Sequence, residues 1–168
     1  MGQGGVADAS LLLSLGDASA LHLLWDDADR DWHVTPIARG EVISEPTRSE
    51  VSRAVLDGRL SATELDTDSE AELQAFARWT DRVDAGEAEA IAVATSRKWV
   101  VGLEDLFAQR RLTEEAGSSA WVNSATLLVS AVRQERLSLP AADAIFTRLD
   151  CYAGYRNRGV VSLSDLMG

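Results

Sequence analysis

Apolar and polar positions along the 168-residue chain follow two alternating rhythms. Short apolar runs of strand length stand at Gly5–Ala9, Trp32–Thr35, Trp99–Leu103 and Ala120–Val122, with helically spaced stretches between them. The first helical stretches are Ser10–Leu15 and Leu21–Trp25, and Ile37–Glu45 follows the second apolar run, which Pro36 closes. Thr47-x-x-Glu50 reads as a capping box that opens a helix through Val51, Ala54 and Val55 and stops at Gly58. Ser69-x-x-Glu72 reads as another, ahead of Leu73, Phe76, Ala77, Thr80 and Val83 on one helical face. Glu87–Ser96 is rich in alanine and strongly helix-forming, and Asp105–Glu115 is a helix that ends at Gly117. Ser124 is placed to cap a helix carrying Leu127, Leu128, Ala131 and Val132, and Pro140 opens a last one with Ala141 to Tyr152 behind it. Apolar strands separated by capped helices predict a single α/β domain around a parallel sheet of about four or five strands, covered on both faces. Asp57–Glu70, the most polar stretch, is expected to be a surface excursion, and no internal repeat is present.

Composition narrows the chemistry. Hydrophobic residues make up 46% and charged residues 26%, the balance of a globular chain with one sizeable core. The net charge of −11 argues against a protein that coats nucleic acid along its surface, but leaves room for one that meets it through a local patch and bound metal. The single cysteine, Cys151, excludes an internal disulfide and reads as a small apolar residue; His22 and His33, the only histidines, exclude a histidine-rich metal site. No apolar run approaches the about 20 residues that span a bilayer, and the polar start lacks the charge of an export signal, so a soluble cytoplasmic protein is expected.

Parallel α/β sheets place working residues at the carboxyl ends of strands and at the helix starts that follow. Asp8 ends the first apolar run, Glu41 lies one turn into the helix after the second, Glu87 opens the alanine-rich helix, and Glu104 and Asp105 end the third run. Carboxylates gathered without histidine or cysteine are hard oxygen ligands, suited to Mg²⁺ or Mn²⁺. Acids also favour helix starts for the dipole alone, so position by itself does not separate the two roles.

Four segments resemble, in order and spacing, those of one branch of the PIN-domain family. Asp84-Ala85-Gly86-Glu87-Ala88-Glu89-Ala90-Ile91-Ala92-Val93-Ala94 is similar to its "GEAEAIALA" segment, the most specific of the four. Asp8-Ala9-Ser10-Leu11-Leu12-Leu13-Ser14-Leu15 resembles "VDASPLIAL", Val34 to Val42 resembles "VPPAVxEEL", and Val100 to Gln109 resembles "LLIDDxxAR". The resemblance covers residues 5–137, leaving 138–168 as a C-terminal helix and tail. Two departures stand out: Gln109 replaces the family's arginine, and Asn123-Ser124-Ala125-Thr126-Leu127-Leu128 lacks both glycines of "GTxGxLL".

The resemblance implies a metal-dependent endoribonuclease of the kind that serves as toxin in a VapBC-like toxin–antitoxin pair. Its metal and catalytic residues carry over onto Asp8, Glu41, Glu87 and Asp105 with Mg²⁺ or Mn²⁺, with Glu104 as a further ligand candidate. Glu89 rivals Glu87, but two residues apart on a helix they face different ways. Ser10, Arg110, Arg111, Asn123 and Ser124 are the corresponding substrate-binding candidates. RNA is the implied substrate; a small antitoxin and a homodimer are the implied partners. Arg97, Lys98, Arg156 and Arg158 are further cations for phosphate contact, weighed against a solvated surface with pairs such as Arg110–Glu114 and Arg111–Glu115. Core packing is expected of Trp25, Trp32, Trp79, Trp99 and Trp121 ahead of a base-stacking role. The alternative to an enzyme is a non-catalytic PIN-type module that acts by binding protein or RNA.

Overall fold

The computed structural model describes residues 2–168. Strands β1 (Gln3–Ala7), β2 (Arg30–Val34), β3 (Ser61–Ala62), β4 (Val100–Gly102) and β5 (Trp121–Val122) form one sheet in the order β3-β2-β1-β4-β5. Every pairing is parallel, with Val6 opposite both His33 and Val101 and Gly102 opposite Val122. This is the α/β architecture, at the upper strand number, that the sequence pattern predicts. The polar stretch Asp57–Glu70 departs from its expectation in part, because it lays the two exposed residues of β3 along β2 as an edge strand.

The helices are α1 (Ala9–Asp17), α2 (His22–Trp25), α3 (Pro36–Glu41), α4 (Thr47–Leu56), α5 (Glu70–Thr80), α6 (Ala85–Ser96), α7 (Leu106–Ala116), α8 (Ser124–Arg133), α9 (Leu139–Phe146), α10 (Tyr152–Arg156) and α11 (Ser164–Met167). Successive strand residues face opposite sides, so the sheet separates two cores. Ala7, Trp32, Val34 and Val100 pack with Leu11, Leu12, Leu15, Leu128 and Phe146 of α1, α8 and α9. Val6 and Val101 pack on the other face with Ile91 and Val93 of α6, Trp79 of α5 and Leu112 of α7. Helix α6 is buried almost all round between sheet and α5, which is why its sequence shows no polar face.

Several local expectations are revised by tertiary contacts. Thr47 does not cap α4: it is buried against Gly16 of α1, where a side chain on Gly16 would collide with it, and the residue before the helix is Pro46. Ser69 caps α5 by accepting from the Glu72 N–H, but the Glu72 carboxylate does not return the bond. It pairs instead with Arg97, Nε to Oε1 2.7 Å, while Oε2 accepts from the Asp66 N–H. That pair turns the inward face of α5 to Glu72, Ala75 and Trp79 and leaves Leu73 exposed. Asn123, not Ser124, caps α8, in a reciprocal box with Thr126. The last helix after Pro140 is broken near Leu149, giving α9 and α10 in place of one span.

Candidate metal centre

The strand order reverses beside β1, whose neighbours are β2 on one side and β4 on the other, and clefts form at the carboxyl ends of strands at such a point. Asp8 follows β1, and its N–H donates to Gly102 O of β4 at 2.9 Å, locking the two strand ends together. Asp8 also caps α1: Oδ2 accepts from the Ser10 N–H at 3.0 Å and from the Ser10 hydroxyl at 2.6 Å. The same hydroxyl accepts from the Glu104 N–H at 3.1 Å, so Ser10 ties the Asp8 carboxylate to the end of β4.

Asp84 caps α6 by accepting from the Glu87 N–H at 2.9 Å, which sets Glu87 in the first turn. Glu41, the last residue of α3, lays its carboxylate on Gly86; a side chain at 86 would occupy the place of its oxygens. Asp105 caps α7, accepting from the Ala108 N–H at 2.7 Å.

These carboxylates act on one another. Burial pushes Glu87 up to about 8, with further contributions from Asp8, Asp105, Asp84 and Glu41 in that order. Glu41 is raised by burial and then by Asp84 and Asp8. Burial also raises Asp8, against the hydrogen bonds from Ser10. The four acids chosen from the sequence therefore share one electrostatic neighbourhood. Asp84 is a fifth member that sequence reasoning left out, although Asp84-x-x-Glu87 carries the spacing of a helix cap.

Two buried oxygens of this cluster, Asp8 Oδ1 and Glu87 Oε1, have no hydrogen-bond partner. An unpartnered buried carboxylate oxygen is costly, and mutual repulsion adds to the cost. A hard divalent cation relieves both, so the donor set fits Mg²⁺ or Mn²⁺. Among the described residues, no three His, Cys, Asp or Glu side chains stand close enough together to hold an ion as they are.

The other candidates take different places. Glu89 is buried with Oε2 accepting from the Ile37 N–H at 3.1 Å, so it anchors the start of α3 and leaves the central position to Glu87. Glu104 faces the start of α8, Oε1 accepting from the Ser124 N–H at 2.8 Å, and burial raises its carboxyl. Asn123 and Ser124 are themselves buried: Asn123 donates to the Tyr155 hydroxyl, and the Ser124 hydroxyl lies 3.4 Å from Cys151 Sγ. Ser10, Asn123 and Ser124 thus join elements of the fold through their polar atoms. Burial pushes the Cys151 thiol up to about 12, which keeps it an inert, protonated group.

Gln109 is buried where the family pattern has arginine, and its amide donates to Leu103 O at 3.1 Å. Arg110 is exposed, and Arg111 pairs with Glu114 at 2.9 Å in place of the expected Glu115, which binds Arg78 and Arg82. Arg97 is committed to Glu72 and Thr63 and is removed from the set of free cations. Trp32 and Trp79 are core residues as expected, whereas Trp25, Trp99 and Trp121 are half-buried. His33 stacks on Trp99, with centroids 4.5 Å apart, and plays no part in the acid cluster. No helix is long and apolar enough to cross a membrane among the described residues. Comparison with protein-family models and with curated proteins finds no match to this chain.

Proposed function

We propose that this chain is a PIN-type, Mg²⁺- or Mn²⁺-dependent endoribonuclease that hydrolyses RNA phosphodiester bonds at the acidic centre. The observation that carries the reading is that acids from separate elements all raise the Glu87 carboxyl, with a buried, unpartnered oxygen on both Asp8 and Glu87. Asp8, Glu41, Glu87 and Asp105 would hold the metal. A divalent ion there supplies the acidity that ionises water near neutral pH and the positive charge that offsets a phosphodiester in its transition state.

The rest is the work of the chain. Ser10 fixes the rotation of the Asp8 carboxylate, Asp84 fixes the first turn of α6, and Gly86 leaves room for Glu41. The carboxylates position and neutralise; none is the nucleophile. A cluster this negative repels a bare phosphodiester, so cleavage is expected to depend on added metal. The role of toxin in a VapBC-like pair rests on the sequence resemblance alone.

Incubating the protein with a mixed-sequence single-stranded RNA, with and without Mn²⁺, tests the reading. Internal cleavage that needs Mn²⁺ and disappears in Asp8→Asn supports it. Absence of cleavage together with tight RNA binding would favour the non-catalytic module.

A further inference from the structure

A cavity opens beside Glu104, between the β4 and β5 ends and α10. It encloses about 350 Å³, at the small end of the roughly 300–1,000 Å³ typical of ligand pockets. Trp121 and Tyr155 both line it, and both rings are pinned at their polar ends. The Trp121 indole N–H donates to the Thr113 hydroxyl at 2.8 Å, and the Tyr155 hydroxyl accepts from Asn123 Nδ2 at 3.1 Å. Gln109 and Asp150 add an amide and a carboxylate to the lining, and Leu106 an apolar edge.

The Arg158 guanidinium stands over the Tyr155 ring at 4.7 Å, at the junction with an outer groove of about 530 Å³ that also presents Arg110. Two cations therefore flank the approach to an aromatic slot in a strongly acidic protein. Charge of that sign beside flat rings suits a group with a planar base and an anionic phosphate. The slot is also connected to the acid cluster, since Glu104 lines it and its N–H binds the Ser10 hydroxyl that holds Asp8.

We propose that this cavity is a nucleobase subsite, which takes one unstacked base of a single-stranded RNA against Trp121 and beside Tyr155 while Arg158 and Arg110 meet the adjoining phosphate. The inference deepens the ribonuclease reading and rests on it for the identity of the polymer. It assigns to the C-terminal segment, through Tyr155 and Arg158, a part in choosing the substrate that the family resemblance does not reach.

Gly154 supplies a selective test. It lines the cavity, and a Cβ added there would meet no atom within 4 Å, so Gly154→Leu adds apolar bulk at the cavity lining without a clash at its Cβ. Binding of adenosine monophosphate, a short single-stranded RNA and an abasic strand of equal length would be followed by calorimetry with EDTA present, in parallel with Mn²⁺-dependent cleavage. The expected result is that RNA binds more tightly than the abasic strand and that Gly154→Leu weakens RNA binding by about 5- to 150-fold, the loss of one base stack. The melting temperature should not fall. Detectable binding of the mononucleotide would show that a free nucleotide is also accepted; its absence, with the RNA effect intact, would show that the base is taken only as part of a strand. RNA binding that is indifferent both to base removal and to Gly154→Leu overturns the subsite, even if cleavage proceeds. An effect of Gly154→Leu on RNA binding without any cleavage by the wild type keeps the subsite and overturns the nuclease. A cavity that ignores all three probes but receives an aromatic side chain of a protein partner also overturns it.

Discussion

Replacing Glu87 by glutamine removes one charge from the acid cluster at nearly constant shape, and its effect on stability has a definite sign and pH window. Glu87 is raised from 4.5 to about 8, first by burial and then by the neighbouring acids. Between those values the native state holds a proton that the unfolded chain has released. Stability therefore falls as pH rises through that interval, and the penalty is fully present above about 8. Without screening, the interval is worth about 5 kcal/mol. Relaxation and water entry around the buried cluster reduce this to about 2–4 kcal/mol. The glutamine variant escapes the penalty. In EDTA, it should match the wild type near pH 4.5 and exceed it by about 2–4 kcal/mol near pH 9, equivalent to roughly 4–16 °C in melting temperature for a chain of this size. Urea unfolding at both pH values reads the difference directly. A variant less stable than the wild type at both pH values would refute the reasoning, because Glu87 would then be a net stabilising acid.

Further substitutions separate neighbouring roles. Asp8→Asn keeps an amide oxygen that can accept the Ser10 N–H, so metal-free stability should be held within about 1 kcal/mol while Mn²⁺-dependent cleavage is lost; thermal melting and an RNA gel check the pair. Glu89→Ala leaves the Ile37 N–H without its partner and should cost about 1–3 kcal/mol by urea unfolding, with metal affinity reduced far less than in Glu87→Gln. Arg97→Ala strands the buried Glu72 carboxylate and should cost about 3 kcal/mol by the same assay, with no effect on metal binding.

The main outline of the fold was legible because the short apolar runs Gly5–Ala9, Trp32–Thr35 and Trp99–Leu103 overlap β1, β2 and β4, with helix starts shortly after them. Strand β3 was not, since Ser61 and Ala62 are both exposed and nothing apolar marks an edge strand of two residues. The capping signals at Thr47 and Glu72 misled for different reasons: Thr47 packs against Gly16 with its hydroxyl unpartnered, and the Glu72 carboxylate is taken by Arg97. At the candidate site, strand ends gave away Asp8 and Asp105, and the position of Glu41 on Gly86 agrees with the glycine that precedes Glu87. Helix spacing puts Glu87 and Glu89 on different faces, and the structure gives each its role: Glu87 is raised by Asp8 and the neighbouring acids, while Glu89 binds the start of α3. Asp84 was not singled out in the sequence, and its effect on Glu87 and Glu41 depends on distances that no spacing rule supplies.

The central claim is that Asp8, Glu41, Glu87 and Asp105 form one divalent-cation site. Calorimetric titration of Mn²⁺ into the metal-free protein, repeated for Asp8→Asn, Glu41→Gln, Glu87→Gln and Asp105→Asn, tests it most directly. The expected result is saturable binding to the wild type that each of the four substitutions weakens by about tenfold or more, the loss of one charged ligand being worth at least about 1.4 kcal/mol. Wild-type protein that takes up no Mn²⁺, or four variants that bind it as tightly as the wild type does, would contradict the claim.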